Sequence, residues 1–177
     1  MIARLAFVAA LAAAPLAAQD LVLEMESGEV RIALAAETAP QHVERIVTLA
    51  EAGAYDGVAF HRVIEGFMAQ TGDVECGVLG ATCPAGTGGS DMPDVPAEFG
   101  ETPFERGTVG MARAASPDSA NSQFFIMFAP APHLNGQYTV VGEVTEGMDV
   151  VDGITRGAGR SGSVTTPDRI VAARIEE

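Results

Sequence analysis

Lysine and tryptophan are both missing from this 177-residue chain, histidine occurs three times and cysteine twice. Without lysine there is no Schiff-base or amine-nucleophile chemistry. Arginine supplies all ten basic side chains, against 24 acidic ones, for a net charge of −14. A surplus of that sign repels phosphate backbones and anionic membrane surfaces, which argues against nucleic acid as a partner. No G-x-S-x-G nucleophile elbow occurs. Of the histidines, only His61 and His133 stand in informative places, and neither has an orienting carboxylate close in sequence. A hydrolase triad is therefore unsupported, and neither a metal nor a cofactor is expected.

The first eighteen residues differ from everything after them. Met1 to Arg4 carries one positive charge, Leu5 to Leu16 is apolar and alanine-rich, and Ala17-Ala18 precede polar Gln19-Asp20. That is the layout of a secretory signal peptide, with an apolar run too short to span a bilayer. Residues 1–18 are expected to be removed and 19–177 to form one domain, exported to the periplasm and without a membrane span. Cleavage after Ala18 leaves Leu16 where a small residue is preferred, so an uncleaved N-terminal anchor is the alternative. Cys76 and Cys83 lie in a glycine-rich loop. Zinc needs more ligands, and a redox pair usually has two intervening residues rather than six. In an oxidising compartment the natural reading is a structural disulfide.

Leu21–Met25 and Val30–Leu34 alternate around Ser27-Gly28, a hairpin pattern. Pro40 opens a helix, Val43, Ile46, Val47 and Ala50 form its apolar stripe, and Gly53 stops it. His42 falls outside that stripe and is expected to be solvated. Strands are expected near Gly107–Met111, Phe124–Phe128, Tyr138–Val141 and Arg169–Ile175, with a second short helix over Gly147–Ile154. The segment Gly72–Pro96 is too long and too rich in glycine and proline for a plain connection. Gly157-Ala158-Gly159-Arg160-Ser161-Gly162 spells a dinucleotide fingerprint but lacks the strand-to-helix context, and reads as a flexible turn. Many short strands with two helices point to an all-β barrel or sandwich.

The chain is organised around Phe60 to Asp73, two short strands bent at Gly66. Alternation places Phe60, Arg62 and Ile64 on one face, an unusual setting for an arginine unless its stem merely lies across apolar neighbours. Phe60-His61-Arg62-Val63-Ile64-Glu65-Gly66-Phe67-Met68-Ala69-Gln70 closely resembles the signature of the cyclophilin family of peptidyl-prolyl cis/trans isomerases. So do Asn121-Ser122-Gln123-Phe124-Phe125-Ile126 and Leu134-Asn135-Gly136-Gln137-Tyr138-Thr139-Val140. The resemblance runs from about Leu21 to the C-terminus and implies a closed eight-stranded antiparallel barrel capped by two helices.

It also implies roles. Arg62 takes the place of the catalytic arginine, with Gln70 orienting it or binding substrate backbone. Phe67, Met68, Phe125 and Leu134 take those of the proline pocket. His61, Gln70 and Gln123 match the polar rim, and Ala112 the backbone segment that pairs with substrate. Arg113 replaces an asparagine in the groove, Tyr138 stands where many members have histidine, and His133 where many have tryptophan. In the family that tryptophan gives cyclosporin an N–H donor and a broad apolar face, so weak inhibition is expected. The implied partners are proline-containing polypeptides, bound by a monomer that accelerates Xaa-Pro rotation as exported proteins fold. A holdase or adaptor that grips proline segments without turnover is the alternative; holding needs the pocket but not the arginine.

Overall fold

The computed structural model describes residues 19–177, so the expected signal peptide lies outside the described residues. The alternating N-terminal pattern forms the predicted hairpin. Strands β1 (Asp20–Met25) and β2 (Gly28–Leu34) pair antiparallel with Met25 opposite Gly28, leaving Glu26 and Ser27 as the turn. Helix α1 (Pro40–Glu51) begins at the proline, and Gly53 follows its end in a left-handed conformation with φ +67°. Next come β3 (Arg62–Ile64), β4 (Met68–Thr71), β5 (Thr108–Met111), β6 (Phe124–Met127), β7 (Val140–Glu146), α2 (Met148–Gly153) and β8 (Ile170–Glu176).

The strands form one eight-stranded sheet in the order β3-β4-β6-β5-β7-β2-β1-β8, antiparallel at every pairing. The expected barrel is present as a curled sheet, but its closure is looser than the resemblance implies. No ladder joins β3 to β8. Single bridges, Ala59 with Arg169 and Arg62 with Ser163, stitch the seam, helped by the Phe60 N–H donating to the Asp168 carbonyl at 2.9 Å. With β3 only three residues long, the seam is built from chain that precedes regular strand geometry. The same irregularity corrects the expected face of Phe60. It packs in the interior with Val63, away from Ile64, because strict alternation begins only at Arg62.

Period-2 alternation divides the apolar residues of the central strands between two cores. Val63, Ala69, Phe124 and Ile126 join the interior, together with Ile46, Leu49 and Ala50 of α1 and Val151 of α2. Met68, Phe125 and Met127 face the other way and pack against Phe104, Ala131 and Leu134. That is why Phe124–Met127 reads as a continuous apolar run: both faces of β6 are covered. Gly110 makes the second core possible. A Cβ there would lie 2.6 Å from both Phe104 and Phe125, whose rings stack at 5.8 Å.

His42, expected in solvent, is fully buried. Its Nδ1 lies 2.6 Å from a Glu98 carboxylate oxygen. The same carboxylate accepts the backbone N–H groups of Gln41 and His42 at 3.2 and 3.1 Å, capping α1, whose own N-cap residue Ala39 has no side chain for the task. Burial opposes ionisation of Glu98, but the hydrogen bonds from His42 and Gln41 together outweigh it and hold its carboxyl below the usual range.

Between β4 and β5 the chain is irregular and is pinned from within. Cys76 and Cys83 form a disulfide with Cα atoms 5.3 Å apart. Closing a loop this short restricts the unfolded chain by about 2–3 kcal/mol. The double variant Cys76→Ser/Cys83→Ser should accordingly unfold at a lower temperature than the oxidised protein while remaining folded at 25 °C. An unchanged midpoint in calorimetry would show that the loop needs no covalent tie.

Candidate active site

The outward-facing core opens into a cavity of about 190 Å3 lined by Arg62, Phe67, Met68, Gln70, Ala112, Arg113, Phe125, Leu134 and Tyr138. These residues come from β3, the turn that follows it, β4, β6, the chain after β5, the short 3-10 turn Pro132–Leu134 and the loop between that turn and β7. The floor is apolar. Met68 and Phe125 are buried, and Leu134 closes one side. Tyr138 meets Phe125 edge-on at 5.8 Å, and Phe67 carries the exposed His133 ring stacked at 5.8 Å.

Arg62 stands at the edge of this floor with its guanidinium fixed on two sides. Nε donates to the Ser161 carbonyl at 3.0 Å and Nη1 to the Gln70 amide oxygen at 3.2 Å. Register explains the second contact, since Arg62 and Gln70 are direct cross-strand partners on β3 and β4. The Gln70 amide N–H donates to Gln123 at 2.9 Å, and that side chain donates to the Gly88 carbonyl at 2.9 Å. A chain of amides thus ties the arginine to the irregular loop. Neither Arg62 contact is to a carboxylate, so its charge is oriented without being neutralised.

A second, larger cavity of about 370 Å3 adjoins the first and shares Gln70, Ala112 and Arg113 with it. One wall is Gly86–Ser90, and Gln123, Asn121, Ser119 and Asp94 add to its polar lining. The wall is positioned by Asp73, which is fully buried and accepts backbone N–H groups from Glu75, Cys76, Gly86 and Gly88.

Most residues singled out from the sequence converge here, but His61 does not. It lies beneath the loop, 7 % exposed, lining neither cavity. A Cβ on Gly86 would sit 2.9 Å from its ring. Both ring nitrogens are buried without a partner, and burial pushes its pKa down despite the pull of nearby Asp73. His61, expected at a substrate-binding rim, thus sits outside both cavities, covered by the loop that the cysteines staple. Ala112 lines both cavities, and its N–H donates to the Gln123 carbonyl at 2.9 Å.

Sequence reasoning also missed what braces Arg62. The segment 157–162, taken for a flexible turn, is bound to β3. Val63 donates to the Gly162 carbonyl at 2.7 Å, Gly157 donates to the Val63 carbonyl at 2.9 Å, and the turn presents the Ser161 carbonyl to Arg62. Gly162 has φ +69°, and any side chain there would run into Ile64. Its glycine spacing was a signal for a tight turn against another strand, though not for which strand.

Among the described residues no cluster of three or more His, Cys, Asp or Glu is placed to hold a metal ion, and no helix is long and apolar enough to cross a membrane.

Comparison with known proteins places this arrangement. The family model described as cyclophilin type peptidyl-prolyl cis-trans isomerase matches residues 21–175. A probable peptidyl-prolyl cis-trans isomerase of Brucella suis is 56 % identical over 160 residues, covering 88 % of this chain and 82 % of that one. A peptidyl-prolyl cis-trans isomerase of Helicobacter pylori is 40 % identical over 140 residues, covering 76 % and 79 %. Among solved structures, a cyclophilin from Hirschia baltica superposes with a TM-score of 0.75 at 29 % identity, covering 87 % of this chain and 72 % of that one. A Cryptosporidium parvum cyclophilin-type isomerase, crystallised in the presence of the dipeptide Ala-Pro, gives 0.79 at 25 % identity, covering 89 % and 99 %.

Proposed function

Because the chain belongs to the cyclophilin-type peptidyl-prolyl cis-trans isomerase family, and is an isomerase of that class, we propose that Arg62 is its catalytic group and that it serves exported polypeptides. The carrying observation is the guanidinium held by Ser161 and Gln70 at the edge of the apolar cavity. Amide resonance sets the barrier to rotation about an Xaa-Pro bond, and uncatalysed exchange takes about 10–100 s. In the twisted transition state the prolyl nitrogen loses conjugation and becomes a better hydrogen-bond acceptor. A fixed cation aimed at it favours the twisted form over either planar one. Phe67, Met68, Phe125 and Leu134 hold the pyrrolidine ring while the preceding carbonyl swings. Gln70 keeps the guanidinium from following the substrate. No covalent bond forms and no proton is transferred.

Export is supported by the N-terminal pattern of the sequence and by a cysteine pair suited to an oxidising compartment. A protease-coupled isomerisation assay on Xaa-Pro peptides tests the reaction. N-terminal sequencing of the protein recovered from a periplasmic fraction tests the localisation. A chain retained in the cytoplasm with residues 1–18 intact would remove the export reading and leave the enzyme.

His133 determines a further property. The exposed imidazole lies across Phe67 but covers far less area than an indole. At about 25 cal/mol per Å2, losing several tens of Å2 of contact weakens cyclosporin binding by about 1–2 kcal/mol. His133→Trp should therefore tighten inhibition roughly tenfold and change kcat/KM little. An inhibition constant that does not move would show that this position does not set affinity.

A further inference from the structure

We propose that Arg113 makes this isomerase selective for prolines with an acidic side chain one or two residues away. The inference rests on the Arg62 groove being the isomerase site. Arg113 is the charged residue on the partition between the two cavities and lines both. Its guanidinium is locked in place. Nη1 donates to the carbonyls of Ala114 and Ala115 at 3.0 and 3.4 Å, and Nη2 donates to that of Gln137 at 3.1 Å. The group lies 4.5 Å from the centre of the Tyr138 ring. That ring packs on Phe125 in the proline floor.

Arg113 has no carboxylate counter-ion among the described residues, although the protein is strongly acidic. Arg31, Arg106, Arg156 and Arg174 each hold a carboxylate. Among the described residues neither Arg62 nor Arg113 has one within salt-bridge distance. The smaller cavity is lined by these two arginines and no acid. The larger has a single acid, Asp94, which accepts from the Asn121 amide at 3.1 Å. The groove is thus a positive strip on a body of net charge −14.

Arg62 is committed to the proline amide, so the charge open to a neighbouring side chain is that of Arg113. An extended chain advances about 3.3 Å per residue. With a proline ring on Met68 and Phe125, the chain running toward the larger cavity crosses Arg113 within one or two residues. An acidic side chain there meets a preorganised guanidinium whose partners are neutral carbonyls rather than a carboxylate. Farther along, it approaches Asp94 and gains nothing.

The test compares kcat/KM for matched peptides that differ only in Glu or Gln, placed one, two or four residues from the proline on either side. The assays are run at 0.15 M salt, so that the field of the distant acidic surface is screened. The expected Glu-to-Gln preference is about three- to fivefold at a near position on one side, the size of one half-exposed ion pair, and absent at four residues. Arg113→Met should abolish the ratio and Arg113→Lys should retain most of it. The ratio is read within each variant, so any general loss of turnover cancels. A wild-type ratio of one at every near position overturns the inference, as does a preference that survives in Arg113→Met. Failure of the wild type to turn over the Gln peptides would instead remove the isomerase reading of the groove, and this inference with it.

Discussion

Arg62→Ala should lower kcat/KM for an Xaa-Pro peptide by about 10²–10³, the usual loss on removing one preorganised transition-state donor, while leaving the protein folded. Both halves of that expectation follow from how the guanidinium is held. Its partners are a turn carbonyl and a glutamine amide, polar groups at the groove edge that water reaches once the side chain is gone. No buried carboxylate is left unpaired, so the large penalty attached to breaking buried ion pairs does not arise. Arg62→Lys keeps the charge but has no planar fork to engage Ser161 and Gln70 together, and most of the loss should remain. Coupled-assay kinetics with circular dichroism on the same samples checks both halves. Turnover within twofold of wild type in a folded Arg62→Ala protein would place the catalytic donor elsewhere.

The second large effect is on stability and belongs to Asp73. Its carboxylate is fully buried and gathers four backbone N–H groups, at 3.2 Å from Glu75, 2.8 Å from Cys76, 2.6 Å from Gly86 and 3.1 Å from Gly88. These donors straddle the disulfide, so the carboxylate joins both limbs of the loop. A buried donor left without an acceptor costs about 1–3 kcal/mol. Since Gly86 and Glu75 lie at the surface and can recruit water, Asp73→Ala should lose about 3–5 kcal/mol in total. Against an ordinary domain stability of about 5–15 kcal/mol, that exceeds the loss expected from removing the disulfide itself. Denaturant titration measures it, and hydrogen exchange should speed up selectively at Gly86–Ser90. A loss below about 1 kcal/mol would mean that the loop is held by other contacts. Because the same glycines wall the larger cavity, substrate KM should rise along with the loss of stability.

The extent to which each feature was legible depends on the range of the interaction behind it. Helix α1 is encoded locally, by a proline at its first position and an apolar stripe of helical spacing, and the β1–β2 hairpin by alternation around a two-residue turn. The Arg62–Gln70 contact is nearly as local, eight positions apart across one tight hairpin. The motifs through Phe67, Met68, Phe125, Leu134 and Tyr138 were readable as a set, and the sheet order brings them to one cavity.

Other features have no local signature. His42 is off the apolar stripe and is buried because Glu98, 56 residues away, caps its helix and pairs with its ring. The brace on Arg62 comes from Ser161, 99 residues on. Phe60 faces the interior because regular strand geometry starts two residues after it, and His61 is buried because the stapled loop folds over it. Composition and periodicity by themselves determined the all-β class and the first elements, because those depend on side-chain spacing within a few turns or one hairpin. The residues gathered at the groove, which span Arg62 to Tyr138, were legible only through the resemblance of the three motifs. Only the tertiary structure decided which charges are neutralised, which donors are pinned and what covers them. Those depend on which distant backbone carbonyls and carboxylates the curled sheet brings within hydrogen-bonding reach.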